Sequence, residues 1–126
     1  MGLADGMLTL KNPRKPSSQP IAVEALADSG AVHLVIPEHI RLQLDLEEGG
    51  TKEITLADGS KRMTPYVGPI EMRFKNRVAY VGAIVMGDEV LLGAIPMENM
   101  DLVVIPQQRR VDINPLNPNF AAAKAK

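Results

Sequence analysis

Ile21-Ala22-Val23-Glu24-Ala25-Leu26-Ala27-Asp28-Ser29-Gly30-Ala31-Val32-His33-Leu34-Val35-Ile36 is the stretch on which the reading of this chain turns. Its two apolar runs, Ile21 to Ala27 and Leu34 to Ile36, have the length and composition of strands. Between them stands Asp28-Ser29-Gly30. Taken alone, these are common turn residues, because Asp and Ser bond locally to backbone and Gly tolerates unusual φ. A carboxylate at the end of a buried strand is costly unless it is paired or hydrogen-bonded. Asp28 is therefore the residue that needs an explanation.

Upstream, Met7-Leu8-Thr9-Leu10 is one short apolar piece, and Asn12 to Pro20 carries three prolines and reads as a loop. Residues 1–20 are thus an N-terminal strand with a Pro/Ser-rich loop. Downstream, Ile36, Ile40 and Leu44 recur at helical spacing, Pro37 suits a first helical position, and Glu38 complements the helix N-terminus. The pattern predicts a helix of two turns, ended by Gly49-Gly50. Glu53 to Leu56 and Lys61 to Thr64 flank Ala57-Asp58-Gly59-Ser60, a hairpin signal in which both central residues take positive φ. Ile70 to Phe74 and Arg77 to Met86 are strands divided by Lys75-Asn76. Val90-Leu91-Leu92 reads as a buried strand, Ile95 to Met100 as one or two helical turns, and Leu102 to Ile105 pairs with Val111 to Ile113 across Pro106 to Arg110. Residues 114–126 read as a loose tail.

No internal repeat is present, and strands do not alternate with long helices. Short strands with turn signals at near-regular spacing predict one all-β barrel or sandwich domain over residues 1–126, with two small helices added. The composition agrees. The 126 residues are 45% apolar and 23% charged, an ordinary globular balance. Aromatics are only 3%, so Val, Ile, Leu and Met build the core, with Met86, Met97 and Met100 read as part of it.

Composition also narrows function. The net charge is −1, with no basic stripe for nucleic acid. The absence of cysteine excludes disulfides, thiolate nucleophiles and Cys-type zinc sites. No apolar run approaches a membrane span, no signal peptide is visible, and Gly6 stands where a myristoylation motif wants Ser or Thr. A cytoplasmic location is expected. His33 and His39 are six apart with no third ligand evident, and read as surface or packing residues rather than a metal site. Glu47-Glu48 and Asp88-Glu89 read as solvated turns.

The pattern Ala25-Leu26-x-Asp28-Ser29-Gly30-Ala31-x-x-x-Val35-Ile36, with Val90-Leu91-Leu92-Gly93 about sixty residues later, resembles the retropepsin-like single-domain aspartic proteases. The resemblance covers roughly Ile21 to Ile105. It implies a closed β-barrel that is one half of an acid protease, with one or two short helices, completed by a two-fold homodimer. Asp28 is then the catalytic residue. Ser29, Gly30 and Ala31 shape its loop, and Leu91, Leu92 and Gly93 pack beneath that loop. The hairpin at Asp58-Gly59 becomes a flap, while Val32 and His33 face the substrate. A peptide or protein substrate is implied, with no metal or other cofactor.

The residue types suit that chemistry. Two nearby carboxylates serve as base and acid, because repulsion keeps one protonated while the other is ionised. This chain has one Asp-Ser-Gly and no Asp-Thr-Gly, so the second carboxylate is expected from a second copy. Many viral members pair an acidic residue just after the Asp loop with an arginine just after the late glycine. Val32 and Ala94 stand at those positions here, so a dimer must be held differently. The apolar character around Val32, Ile84 and Ile95 implies hydrophobic side chains flanking the scissile bond. Two other readings remain: a catalytically silent module that dimerises and binds peptide by strand addition, and a small barrel unrelated to proteases, such as an assembly factor.

Overall fold

Residues 4–28 and 30–125 are described by a computed structural model of the chain. Among them run β1 (Ala4–Lys11), β2 (Ile21–Ala27), β3 (Leu34–Ile36), α1 (Glu38–Leu44), β4 (Glu48–Thr55), β5 (Lys61–Phe74) and β6 (Arg77–Val85). They are followed by β7 (Val90–Leu92), α2 (Ala94–Met100), β8 (Leu102–Ile105), one 3-10 turn at Pro106–Gln108, and β9 (Arg110–Ile113). The sheet order is β4-β5-β6-β3-β7-β2-β1-β9-β8, and β1 also pairs with β5. That extra pairing, Thr9↔Arg73 to Lys11↔Glu71, closes β5-β6-β3-β7-β2-β1 into a barrel of six strands. Closure removes the exposed edges that open sheets must otherwise protect.

Alternation drives the closure. In β1, Leu8 and Leu10 are buried at 1% and 0% exposure, whereas Met7 is 58% exposed, the period-two pattern of a strand with one inward face. Ile70, Met72 and Phe74 repeat the pattern on β5, and Leu44 and Met100 plug the core from the helices. Two features lie outside the ring. The first part of β5 pairs with β4 to form a projecting hairpin, Thr55↔Lys61 to Glu48↔Val67. The β8–β9 hairpin joins β1 through Asp5↔Arg110.

The strands, both helices and the C-terminal hairpin are found where the sequence predicts them, but several details differ, among them that Lys61–Thr64 and Ile70–Phe74 are parts of the single strand β5. Pro37 is the residue before α1 rather than its first residue, since its ψ of 160° is still extended. The helix stops at Asp45, which takes φ 52° and bonds back to Arg41 and Leu42 carbonyls, not at Gly49-Gly50. The reason is Leu46, which is buried and turns the chain back to the core. The glycines belong to β4, where Gly50 marks a register shift. In the Asp58-Gly59 turn only Gly59 has positive φ (86°). The Gly59 N–H donates to the Leu56 carbonyl at 2.9 Å, and the Leu56 N–H to Ser60 at 2.8 Å. This is a three-residue loop in which the glycine takes the left-handed position.

The tail from Asn114 forms no helix or strand, yet it is tied down. Asp101, in the left-handed conformation after α2, accepts bonds from Asn114 Nδ2 (3.1 Å), Asn117 Nδ2 (2.7 Å) and the Ala122 N–H (3.1 Å). The buried Arg77 guanidinium donates to the Asn117 carbonyl. Met100 is in the core as expected and the half-buried Met97 packs against it, whereas Met86 is half-buried and lines a cavity. No helix among the described residues is long and apolar enough to cross a membrane.

Candidate active site

Asp28 leaves the C-terminal end of β2 beside the C-terminal end of β7. The two strands are parallel, with Ala27 opposite Leu92, and β7 pairs on its other side with β3, Leu34 opposite Leu92. β7 is thus wedged between the strands that enter and leave the Asp28 loop. Main-chain bonds continue the wedge. The Asp28 N–H donates to the Leu92 carbonyl at 3.1 Å, and the Ala94 and Ile95 N–H groups donate to Ala31 and Val32 carbonyls at 3.0 and 2.8 Å.

Gly93 sits where this clamp is tightest. A Cβ there would lie 2.7 Å from the Val32 carbonyl carbon and 2.8 Å from the Ala31 oxygen, and closer still to the His33 carbonyl oxygen. Only glycine lets the two backbones meet. Leu92 is buried beneath the loop, and Leu91 is half-buried. The structure therefore brings Asp28, Gly30, Ala31, Leu91, Leu92 and Gly93 together. Ser29 lies outside the described residues.

The Asp28 carboxylate is half-buried, and its Oδ1 accepts the Gly30 N–H at 2.9 Å. The Ala31 N–H closes the turn onto the Asp28 carbonyl at 3.0 Å. Gly30 is exposed, and a Cβ there would approach Asp28 Oδ1 to 3.3 Å. The loop thus holds one carboxylate oxygen by a local bond while the residue stays open to solvent.

Two cavities of about 550 and 340 Å³ share walls formed by Gly30, Ala31, Val35, Ile54, Thr55 and Met86. Together they make one groove between the Asp28 loop and the projecting hairpin. The hairpin contributes its arm, Glu53 to Ala57, to these walls. Asp58 and Gly59 are not in them. Both are exposed at the tip, where Asp58 accepts bonds from the Ser60 N–H (2.9 Å) and Oγ (2.6 Å). Those two bonds, the hydroxyl's first, hold the Asp58 carboxyl below its usual value.

Val32 and His33 line the smaller cavity, and Val32 is 55% exposed. The His33 ring meets Tyr66 of β5 edge-on at 5.8 Å, and Lys52 Nζ lies over the opposite-arm Tyr66 ring at 4.7 Å. Burial, and then the Lys52 charge, hold the His33 imidazole below its ordinary pKa. Tyr66 fits because Gly82 has no side chain, a Cβ there falling inside the tyrosine ring.

Sequence reasoning assigned Met86 to the core rather than to the groove, and did not single out Ile54, Thr55 or the Tyr66–Gly82 contact. A glycine inside the apolar β6 run was the available signal, since such glycines mark close approach of another group. On the other side of Asp28, a cavity of about 370 Å³ is lined by Ala4, Ala27, Gly93, Ala94, Met97 and Val104. No group of three metal-ligating side chains occurs among the described residues. No protein-family model matches the chain, and no curated protein matches it.

Proposed function

We propose that the chain is an aspartic-type endopeptidase of the retropepsin-like kind, active as a two-fold homodimer. One observation carries this reading. Asp28 sits on a loop clamped by the β7–α2 backbone and opens into a groove roofed by a hairpin. A turn that served folding alone would need neither the Gly93 clamp nor the groove.

Each copy supplies one Asp28. The chemistry is that of the aspartic proteases as a class: the ionised carboxylate takes a proton from water as its oxygen adds to the peptide carbonyl. The protonated carboxyl gives its proton to the carbonyl oxygen, and collapse of the adduct transfers a proton to the departing amine. The pair titrates as a unit. Support for dimerisation lies on the far flank of Asp28, where Val104, 41% exposed, and the half-buried Met97 line the third cavity. A second copy covering that flank removes apolar surface from water and brings a second Asp28 to the first. The groove also suits an extended chain, held under the β4 arm.

The test is cleavage of a mixed peptide library from about pH 3 to 7, at high protein concentration, beside Asp28→Asn. Turnover that the variant lacks, and that a hydroxyl-bearing transition-state mimic blocks, is the expected result. A folded dimer that binds peptides without cutting them at any pH replaces this reading with the silent binding module. A monomer that does neither points to the unrelated barrel.

A further inference from the structure

The larger part of the groove has an acidic end. Besides Asp28, the charged residues on the wall of the 550 Å³ cavity are Asp88 and Glu89, and no basic residue lines it. Both are exposed, and neither takes part in an ion pair among the described residues. The rest of the wall is largely apolar, with Val35, Ile54, Leu56, Met86 and Leu91 among its residues. Gly87, at φ 72°, makes the turn that presents the two carboxylates just before β7.

An apolar wall ending in unpaired carboxylates fits one kind of side chain. Lysine and arginine lay an aliphatic stem along apolar surface and keep the charged head in water. A leucine would use the wall and leave the carboxylates unpartnered, while a glutamate would be repelled. We propose that Asp88 and Glu89 are specificity-determining residues, selecting peptides with Lys or Arg a few positions from the bond that is cut, beyond the hydrophobic side chains expected directly beside it. This rests on the peptidase reading. Glu89 precedes Leu92, the strand neighbour of Ala27, by three residues, about 10 Å along a strand. The basic residue therefore stands within about three positions of the scissile bond. In a two-fold dimer the acidic end occurs twice, so the preference falls on both sides of that bond.

The measurement uses peptides identical except for Lys, Gln, Leu or Glu at one position, scanned along the sequence. Cleavage is followed with the wild-type chain and binding with Asp28→Asn. At its best position the Lys peptide should be bound and cut about tenfold better than its Gln counterpart, as expected for two exposed charge pairs, and less so in high salt. In Asp88→Asn/Glu89→Gln the Lys advantage should vanish while the Gln peptide is handled as before. Equal use of Lys and Gln peptides, or a Lys advantage surviving in that variant, overturns the inference and leaves the peptidase reading intact. If no peptide is bound or cut in any arm, the peptidase reading falls and the inference with it.

Discussion

Gly93 and Gly30 look alike in the sequence, each beside a functional candidate, yet the structure asks different things of them. A methyl at Gly93 collides with the backbone of three consecutive residues, Ala31 to His33, and that backbone, held by the Ala94 and Ile95 N–H groups, cannot give way cheaply. A methyl at Gly30 meets only the Asp28 carboxylate oxygen, at 3.3 Å. Gly93→Ala should therefore lose about 1–3 kcal/mol of stability, the usual cost of forcing extra volume into a packed site. Gly30→Ala should lose less in a urea titration, and its effect should appear in turnover instead. Equal stability losses in the two variants would show that the clamp is looser than the geometry describes.

Among the elements, the C-terminal tail differs most from what its composition suggests. Its Asn, Pro and Ala content favours no regular structure, and it has none. It is nevertheless anchored on Asp101, whose carboxyl is held below its ordinary pKa by the Ala122 N–H first and then by the Asn114 amide. A carboxylate whose folded pKa is lowered stabilises the folded arrangement fully above its unfolded value, and loses that contribution as pH falls through the folded value. The tail should thus stay protected from amide exchange at neutral pH and become exposed below about pH 4. Asp101→Asn, which suits the same left-handed backbone, should loosen residues 114–125 already at pH 7 with the barrel unchanged. Protection identical to wild type at pH 7 would mean that Arg77, and Asn76 through its amide bond to the Pro118 carbonyl (2.9 Å), hold the tail by themselves.

For the molecule as a whole, the decisive contact is the β1–β5 pairing, because without it the sheet is open. Leu10 and Met72 face each other in that register and are both fully buried. Leu10→Ala should cost about 2–5 kcal/mol, the range for deleting a buried leucine. Met7→Ala, on the outer face of the same strand, should fall within about 0.5 kcal/mol of wild type. Chemical denaturation compares the two directly, and similar losses would contradict a closed barrel with an inward Leu10.

Periodicity and turn residues are local, and they made the strands, the two short helices, the β4–β5 hairpin and the β8–β9 hairpin legible in the sequence. The likeness also marked Asp28, Gly30, Leu91, Leu92 and Gly93, which the fold does bring together. Other features could be decided only in three dimensions. The groove wall from Ile54 to Ala57, the place of Tyr66 against His33, its ring over Gly82 and the anchoring of the tail on Asp101 all join residues far apart in the chain. No local pattern encodes such meetings, because they follow from how the barrel closes: which residue ends each strand is set by sequence, but what lies opposite it is set by packing.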